Sequence, residues 1–276
     1  MTTADALTAS ENGQSPIGFG VDIGGSGIKG AVVNLADGSL IGERVRVDTP
    51  QPATPDVIAA TSVQIAKTLG WDGPVGVTLP CVIKDGVART AANVDKSWID
   101  TAAVALFEKA FGQPVAVLND ADAAGLAEDK YGAGKNYRGV VIVLTFGTGI
   151  GSALLNNGVL VPNTEFGHME VDGKEAEHRA AGSVRENQDL SWKKWSKEVS
   201  KVLETFEDLL WPDVFIAGGR VSRKGDKWIP LLTNRTEVIP AALLNTAGIV
   251  GAAMAAGQLG SSSESDGWSR VGRAWS

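Results

Sequence analysis

A glycine-rich pattern occurs twice in this chain and restricts its fold more than any other feature. Gly27-Ile28-Lys29-Gly30-Ala31-Val32-Val33-Asn34 returns as Gly149-Ile150-Gly151-Ser152-Ala153-Leu154-Leu155-Asn156. Each copy follows an apolar run, Gly18 to Ile23 or Val140 to Phe146, and each continues into a turn, Ala36-Asp37-Gly38 or Asn157-Gly158. The pattern predicts strand, glycine loop, strand, turn, strand, made twice in one chain. A glycine loop of this kind offers backbone N–H groups to phosphate, because the backbone can approach closely and adopt positive φ.

Gly25-Ser26-Gly27-Ile28-Lys29-Gly30 also satisfies the dinucleotide-binding G-x-G-x-x-G pattern. That reading needs a helix to open at the last glycine, with a pyrophosphate at its N-terminus. Here Ala31-Val32-Val33 runs to Asp37-Gly38 and then to an apolar-polar alternation through Val47, which is the grammar of a hairpin. Asp48, near the spacing of a ribose-binding acid, falls where a strand ends.

At 276 residues the chain is long enough for two lobes with their own cores and a cleft between them. The expected division is a flexible segment over 1–16, a small lobe over 17–119 completed by a helix over 247–257, a large lobe over 120–246, and a Ser/Gly-rich tail over 260–276. No signal-peptide-type stretch and no membrane-length apolar run occur, so a cytoplasmic location is expected. A net charge of −7 argues against a nucleic-acid partner. The single cysteine, Cys81, reads as a buried small hydrophobe, with no disulfide and no structural zinc site.

Helices are predicted over Thr54 to Leu69, Ala102 to Phe111, Trp192 to Leu210 and Ala247 to Ala256, and strands over Val75 to Leu79, Val115 to Leu118 and Val214 to Ala217. Lys193, Lys194, Lys197 and Lys201 have the spacing of a solvated helix face, and Trp192, Trp195 and Trp211 that of core or helix-packing groups. Asn119-Asp120 lies at a strand's end where a helix starts, the place where α/β folds bind ligands. Asp22 precedes the first loop, and Glu165-Phe166-Gly167-His168 follows the second hairpin. Such groups recognise hydroxyls and order a metal. A carboxylate held against a substrate hydroxyl beside magnesium-bound phosphate can accept the proton during transfer, and Asp120 is the candidate. Each residue also has a plainer reading: Asp22 as a turn cap, Asn119-Asp120 as an N-cap pair, Asp122 and His168 as structural groups.

Taken in order, Asp22-Ile-Gly-Gly-Ser-Gly-Ile-Lys29, Asn119-Asp120, Leu144-Thr-Phe-Gly-Thr-Gly-Ile-Gly151, Glu165-Phe-Gly-His168 and Ala217-Gly-Gly219 resemble the ROK sugar kinases of the actin-like ATPase superfamily, over about 18–257. Ala91-Ala-Asn-Val-Asp-Lys-Ser-Trp98, Asn163-Thr-Glu-Phe-Gly-His168 and Gly173-Lys-Glu-Ala-Glu177 make the chain similar to that family's polyphosphate glucokinase branch, polyphosphate/ATP glucomannokinases included. The resemblance implies an α/β, two-lobed, ribonuclease H-like fold and a kinase acting on the C6 hydroxyl of glucose, with mannose as a second sugar. It implies that Asn93, Asn119, Asp120, Glu165, His168 and Glu177 hold the sugar, with Asp120 as general base. It assigns the phosphoryl donor, polyphosphate or ATP, to Asp22, Gly24, Gly25, Ser26, Gly27, Lys29, Thr148, Gly149, Gly151, Gly218 and Gly219, with Mg²⁺ ordered by Asp22, and it implies a homodimer.

Two departures stand out. Relatives bind structural zinc through this motif's histidine and three downstream cysteines, but Val171 to Arg179 contains none. Arg220 stands where an adenosine-binding turn usually has a third glycine, and with Arg223, Lys224 and Lys227 it favours a long polyanion over adenine. An ATP-only glucokinase and a non-catalytic sugar sensor of the same family stay open alternatives, as does an actin-like filament protein. The segment before Gly18 is too short for the DNA-binding module of the sensors, and a filament protein has no need of the Glu165 to His168 motif.

Overall fold

The computed structural model describes residues 16–259, so the expected tail over 260–276 and all but the last residue of the expected segment 1–16 lie outside it. The chain divides into two compact units, one running to Ala123 and resuming at Gly248, the other formed by Ala124–Ala247.

The first unit is built on β1 (Ile17–Gly24), β2 (Gly27–Asn34), β3 (Leu40–Val47), β4 (Val75–Leu79) and, after the two-residue strands β5 (Ile83–Lys84) and β6 (Val87–Ala88), β7 (Val115–Asn119). Its sheet has the order β3-β2-β1-β4-β7. The β1–β2 and β2–β3 pairs are antiparallel and the β1–β4 and β4–β7 pairs parallel. Helix α1 (Pro55–Thr68) starts at Thr54 with a proline in its first turn, and α2 (Ala103–Phe111) ends at Gly112 in the left-handed conformation, as helix-stop chemistry requires. Gly30 faces Ile65 of α1, where a Cβ would lie 2.6 Å from its side chain. Gly20 of β1 and Gly76 of β4 are in register and therefore share a face. Gly20 pairs with Ala31, next to Gly30, so it points to the opposite side of the sheet.

The second unit repeats the plan. Helix α3 (Asp120–Lys130) crosses the boundary between units and leads to β8 (Val140–Phe146), β9 (Ile150–Asn156) and β10 (Val159–Val161). The short pair β11 (Glu170–Val171) and β12 (Lys174–Glu175), helices α4 (Ala176–Ala180), α5 (Gly182–Asn187) and α6 (Trp192–Leu210), and strands β13 (Val214–Gly218) and β14 (Val238–Pro240) follow. The sheet order is β10-β9-β8-β13-β14, again an antiparallel trio followed by two parallel strands. Duplication therefore extends from the hairpin to the whole sheet, the arrangement of the actin-like ATPase fold. The dinucleotide reading fails where expected: Gly30 lies inside β2, and no helix opens there.

Ser191 caps α6, whose buried Trp195, Val199, Val202, Leu203 and Phe206 recur at helical spacing while Lys193, Lys194, Lys197 and Lys201 face solvent. Trp195 meets Phe146 and Trp228 edge-on at 5.7 and 5.0 Å, and each such buried aromatic contributes about 2–3 kcal/mol. Trp211 corrects the expectation that all three tryptophans are core or helix-packing groups. It takes the left-handed conformation that ends α6, is 70% exposed, and has the Arg235 guanidinium 4.1 Å over its ring. Glu128, buried in α3, keeps its charge company with the N–H groups of Ala133, Ala242 and Leu243 at 2.9, 3.0 and 2.7 Å. The final helix, α7 (Ala247–Leu259), continues three residues beyond its predicted end and belongs to the first unit's core. Among the described residues no helix is long and apolar enough to cross a membrane.

Candidate functional site

In the first unit, Asp22 lies two residues before the end of β1, beside the glycine turn, and is held from two sides. Its Oδ2 accepts from Lys29 Nζ at 2.9 Å and its Oδ1 from Thr78 Oγ1 at 3.0 Å. Thr78, absent from the sequence reading, also accepts from the Ile23 N–H at 3.3 Å, so it fixes both the carboxylate and its strand. Gly248, near the start of α7, lies so close that a Cβ there would stand 2.9 Å from Asp22 Oδ1. The plainer turn-cap reading does not describe this residue, whose carboxylate contacts are Lys29 and Thr78.

Gly24, Gly25, Ser26 and Gly27 form the tight link between β1 and β2. None of them has the positive φ allowed for above. Space is the reason for glycine here: a Cβ on Gly25 would lie 2.9 Å from the Asn93 carbonyl oxygen, and one on Gly27 would lie 2.9 Å from Arg46 Nε. Thr49 Oγ1 donates to the Gly24 carbonyl at 2.5 Å. Asn93 itself is left-handed, a conformation its short amide tolerates, and it rests against the Gly24–Gly27 link.

Asn119 and Asp120 stand where β7 becomes α3. The Asn119 Oδ1 accepts from the N–H groups of Ala121 and Asp122 at 2.8 and 3.1 Å, and its Nδ2 donates to the Cys81 carbonyl at 3.2 Å. The N-cap reading thus holds for Asn119, which still has one amide hydrogen to offer a ligand. Asp120 is half-buried and accepts from the Ala121 N–H at 2.9 Å through Oδ1. Asp122 is buried, in line with a structural role, and so is Cys81.

In the second unit the β8–β9 hairpin presents Thr148, Gly149 and Gly151. Ser183 supports it, donating through Oγ to the Thr148 carbonyl at 2.6 Å and through N–H to the Gly147 carbonyl at 3.0 Å. Glu177, in the first turn of α4, accepts from the Ile150 N–H at 3.3 Å, and a Cβ on Gly149 would lie 2.2 Å from its Oε2. A residue read from sequence as a sugar ligand is therefore also a wall of the second glycine loop. Gly167 seats the Glu165-Phe166-Gly167-His168 turn, since a Cβ there would lie 2.3 Å from the Ile150 carbonyl oxygen. Gly218 closes β13, and Gly219 has φ +79° with no room for a side chain against the Phe146 backbone. Gly219 is where positive φ does require glycine.

The electrostatics around this turn are acidic. His168 Nδ1 is 3.4 Å from Glu175 Oε2, and His178 Nδ1 is 3.4 Å from the same oxygen. The hydrogen bond with Glu175 raises the His168 pKa; partial burial opposes the shift, and the charges of Glu177, Glu175 and Glu165 reinforce it. Glu165 is exposed as a residue, yet partial desolvation of its carboxyl raises its pKa, with His168 countering and Glu177 adding to the effect. His168, Glu175 and Glu177 offer ligand atoms within 4.8 Å of one another. Arg220 opens the turn-like segment Arg220–Lys227 after Gly219; its side chain is 82% exposed and pairs with Glu186 at 3.4 Å. Arg223, Lys224 and Lys227 are exposed on the same segment.

The sequence model of the ROK family matches residues 18–183, a stretch holding both hairpins and every candidate sugar ligand. The chain is 63% identical over 239 residues to the polyphosphate glucokinase of Mycobacterium tuberculosis, covering 86% of this chain and 90% of that protein. It is 59% identical to the polyphosphate glucokinase of Mycobacterium leprae, covering 86% of this chain and 74% of that protein. Among solved structures, the inorganic polyphosphate/ATP-glucomannokinase of Arthrobacter sp. strain KM superposes with a TM-score of 0.83 at 48% identity, covering 89% of this chain and all of that one.

Proposed function

We propose, from the premise that the chain belongs to the ROK family, that it is a hexose kinase transferring phosphate from polyphosphate or ATP to the C6 hydroxyl of glucose, with mannose as a further substrate. The observation that carries this reading is the 63% identity to a polyphosphate glucokinase, which spans 86% of this chain and 90% of that relative. In the reaction the C6 oxygen attacks the donor's terminal phosphorus. The new O–P bond forms as the bond from that phosphorus to its bridging oxygen breaks, and the hydroxyl proton passes to the Asp120 carboxylate. The leaving group is a polyphosphate shorter by one unit, or ADP. Asn93, Asn119, Glu165, His168 and Glu177 hold the sugar hydroxyls.

Transfer of this kind depends on stabilising charge, because the protein has little covalent work to do. Lys29 and the N–H groups of the two glycine hairpins serve the donor phosphates, together with Gly218 and Gly219. Asp22 fits a place beside Mg²⁺: it is a hard oxygen donor whose oxygens each retain a lone pair beyond their bonds to Lys29 and Thr78. Mg²⁺ held there and by the donor would neutralise charge on the transferred group. Zinc has no part in this reading, and we place the activity in the cytoplasm, where ATP is supplied. A homodimer follows from family membership, and sedimentation velocity tests it.

The deciding experiment is glucose 6-phosphate formation with Mg²⁺ and either medium-chain polyphosphate or ATP, beside Asp120→Asn. The amide keeps the Oδ1 acceptor for the Ala121 N–H and loses the base, so turnover should fall by about 10²–10⁴-fold with the melting temperature unchanged. A variant within tenfold of the parent would remove Asp120 from the role of base. Product from ATP alone would remove polyphosphate, and no product from either donor would return the chain to another sugar or to sugar sensing.

A further inference from the structure

Lys29 is registered with Asp22 across β1–β2 and with Arg46 across β2–β3, while Asp22 is registered with Thr78 of β4. One rung therefore crosses four strands in the order Arg46, Lys29, Asp22, Thr78, with all four side chains on one face. Like charges directly opposite each other destabilise a sheet, so the Lys29–Arg46 neighbours need anions. The two cations are served unequally. Lys29 has Asp22, whose carboxylate is only 16% exposed and also bonds Thr78. Arg46 has Asp48, at 2.6 Å, on a carboxylate that is 84% exposed. An exposed pair of that kind is weak and is readily exchanged for a better anion.

Arg46 also lies on the tip of the first glycine hairpin. Its Nη2 donates to the Ser26 carbonyl at 3.0 Å, and a Cβ on Gly27 would meet Nε and Nη2 at 2.9 Å. The side chain remains 48% exposed. A planar guanidinium suits phosphate because its paired N–H groups match two phosphate oxygens, whereas the Lys29 ammonium acts as a point charge. Resting on the reading that this hairpin takes the donor's phosphates, we propose that Arg46 is a donor-binding residue. Its fork leaves Asp48 and takes a phosphate of the polyphosphate chain beside the one held by Lys29, while the Ser26 carbonyl keeps it aimed at the loop.

The test is equilibrium binding of medium-chain polyphosphate to the full chain by calorimetry, for the parent, Arg46→Gln and Asp48→Asn, with glucose phosphorylation run alongside. Arg46→Gln should weaken binding about tenfold or more, the scale of a lost charge-assisted pair, and leave the KM for glucose and the melting temperature unchanged. Asp48→Asn should tighten binding, because it removes the carboxylate that competes for the fork. Binding within twofold of the parent in Arg46→Gln would overturn the proposal, as would polyphosphate binding weakened in Asp48→Asn, which would assign the pair to bracing the hairpin. A parent chain that fails to bind polyphosphate overturns it too. A parent that binds polyphosphate with an Arg46-dependent affinity but phosphorylates no glucose would support Arg46 and sink the proposed activity, so the two failures are separable.

Discussion

Gly76→Ala adds one methyl group where β4 meets α7. A Cβ at this position would lie 1.8 Å from the Ala252 carbonyl oxygen, whereas ordinary van der Waals contact begins at 3.4 Å. The obstacle is helix backbone, so no side-chain rotation relieves it and the helix must withdraw by roughly 1.6 Å. Helix α7 cannot do so freely, since it also packs over Gly20 beside Gly76, where a Cβ would lie 2.0 Å from the Ile249 carbonyl oxygen, and Ile249, Val250, Ala252 and Ala253 are fully buried. Overpacking of this kind costs about 3 kcal/mol, the upper end of the usual range. At about 2–4 °C per kcal/mol for a chain of this size, the melting temperature should fall by about 6–12 °C in a calorimetric scan. Gly73→Ala is the control: its nearest neighbour is the Trp71 ring at 3.4 Å, and stability should stay within about 0.5 kcal/mol of the parent. Because Gly248 of the same helix abuts Asp22, turnover should drop with stability in Gly76→Ala. A Gly76→Ala protein melting within 2 °C of the parent would refute the backbone-contact reasoning.

Two further outcomes are expected. Arg220→Gly removes an exposed cation beside Gly219 and should lower the ratio of polyphosphate to ATP turnover; an unchanged ratio would take Arg220 out of donor choice. Glu175→Gln removes the first cause of the raised His168 pKa, which should then fall towards the ordinary value near 6.5 in an NMR titration of the imidazole. The sign follows from linkage: a raised native pKa favours the imidazolium, so its stabilisation is fully present below the unfolded pKa and is lost as pH rises through the native one. The His168 contribution to stability should therefore fade over that same interval in the parent and at lower pH in Glu175→Gln, followed by thermal melts across pH. A His168 titration indifferent to Glu175→Gln would reject the contact as the cause.

The sequence was most legible where structure is local. The two hairpins and the ends of β4, β8 and α6 follow from period-2 and period-3.6 patterns and from turn residues that act within a few positions of themselves. The small elements β5, β6, β11, β12, β14, α4 and α5 escaped because segments of two to six residues are too short to show a period. At the site, the chemistry of Asp22, Asn119, Asp120, Glu165 and His168 was readable as residue types at strand ends and turns, but their partners were not. Thr78 and Arg46 carry no local mark. Each joins Asp22 or Lys29 only through strand register, which pairs residues 17 to 56 positions apart.

Glycine shows the division best. The sequence by itself determined that two glycine hairpins would form, because alternation and turn chemistry act along a single stretch of chain. Only the tertiary structure decided what the space beside each glycine is used for. Gly25 makes room for Asn93, Gly27 for Arg46, Gly149 for Glu177, and Gly20 and Gly76 for the backbone of a helix that begins at Ala247. Close approach between distant segments is a property of packing, where two surfaces either leave space for a Cβ or do not, and no pattern along one strand records the shape of the other surface.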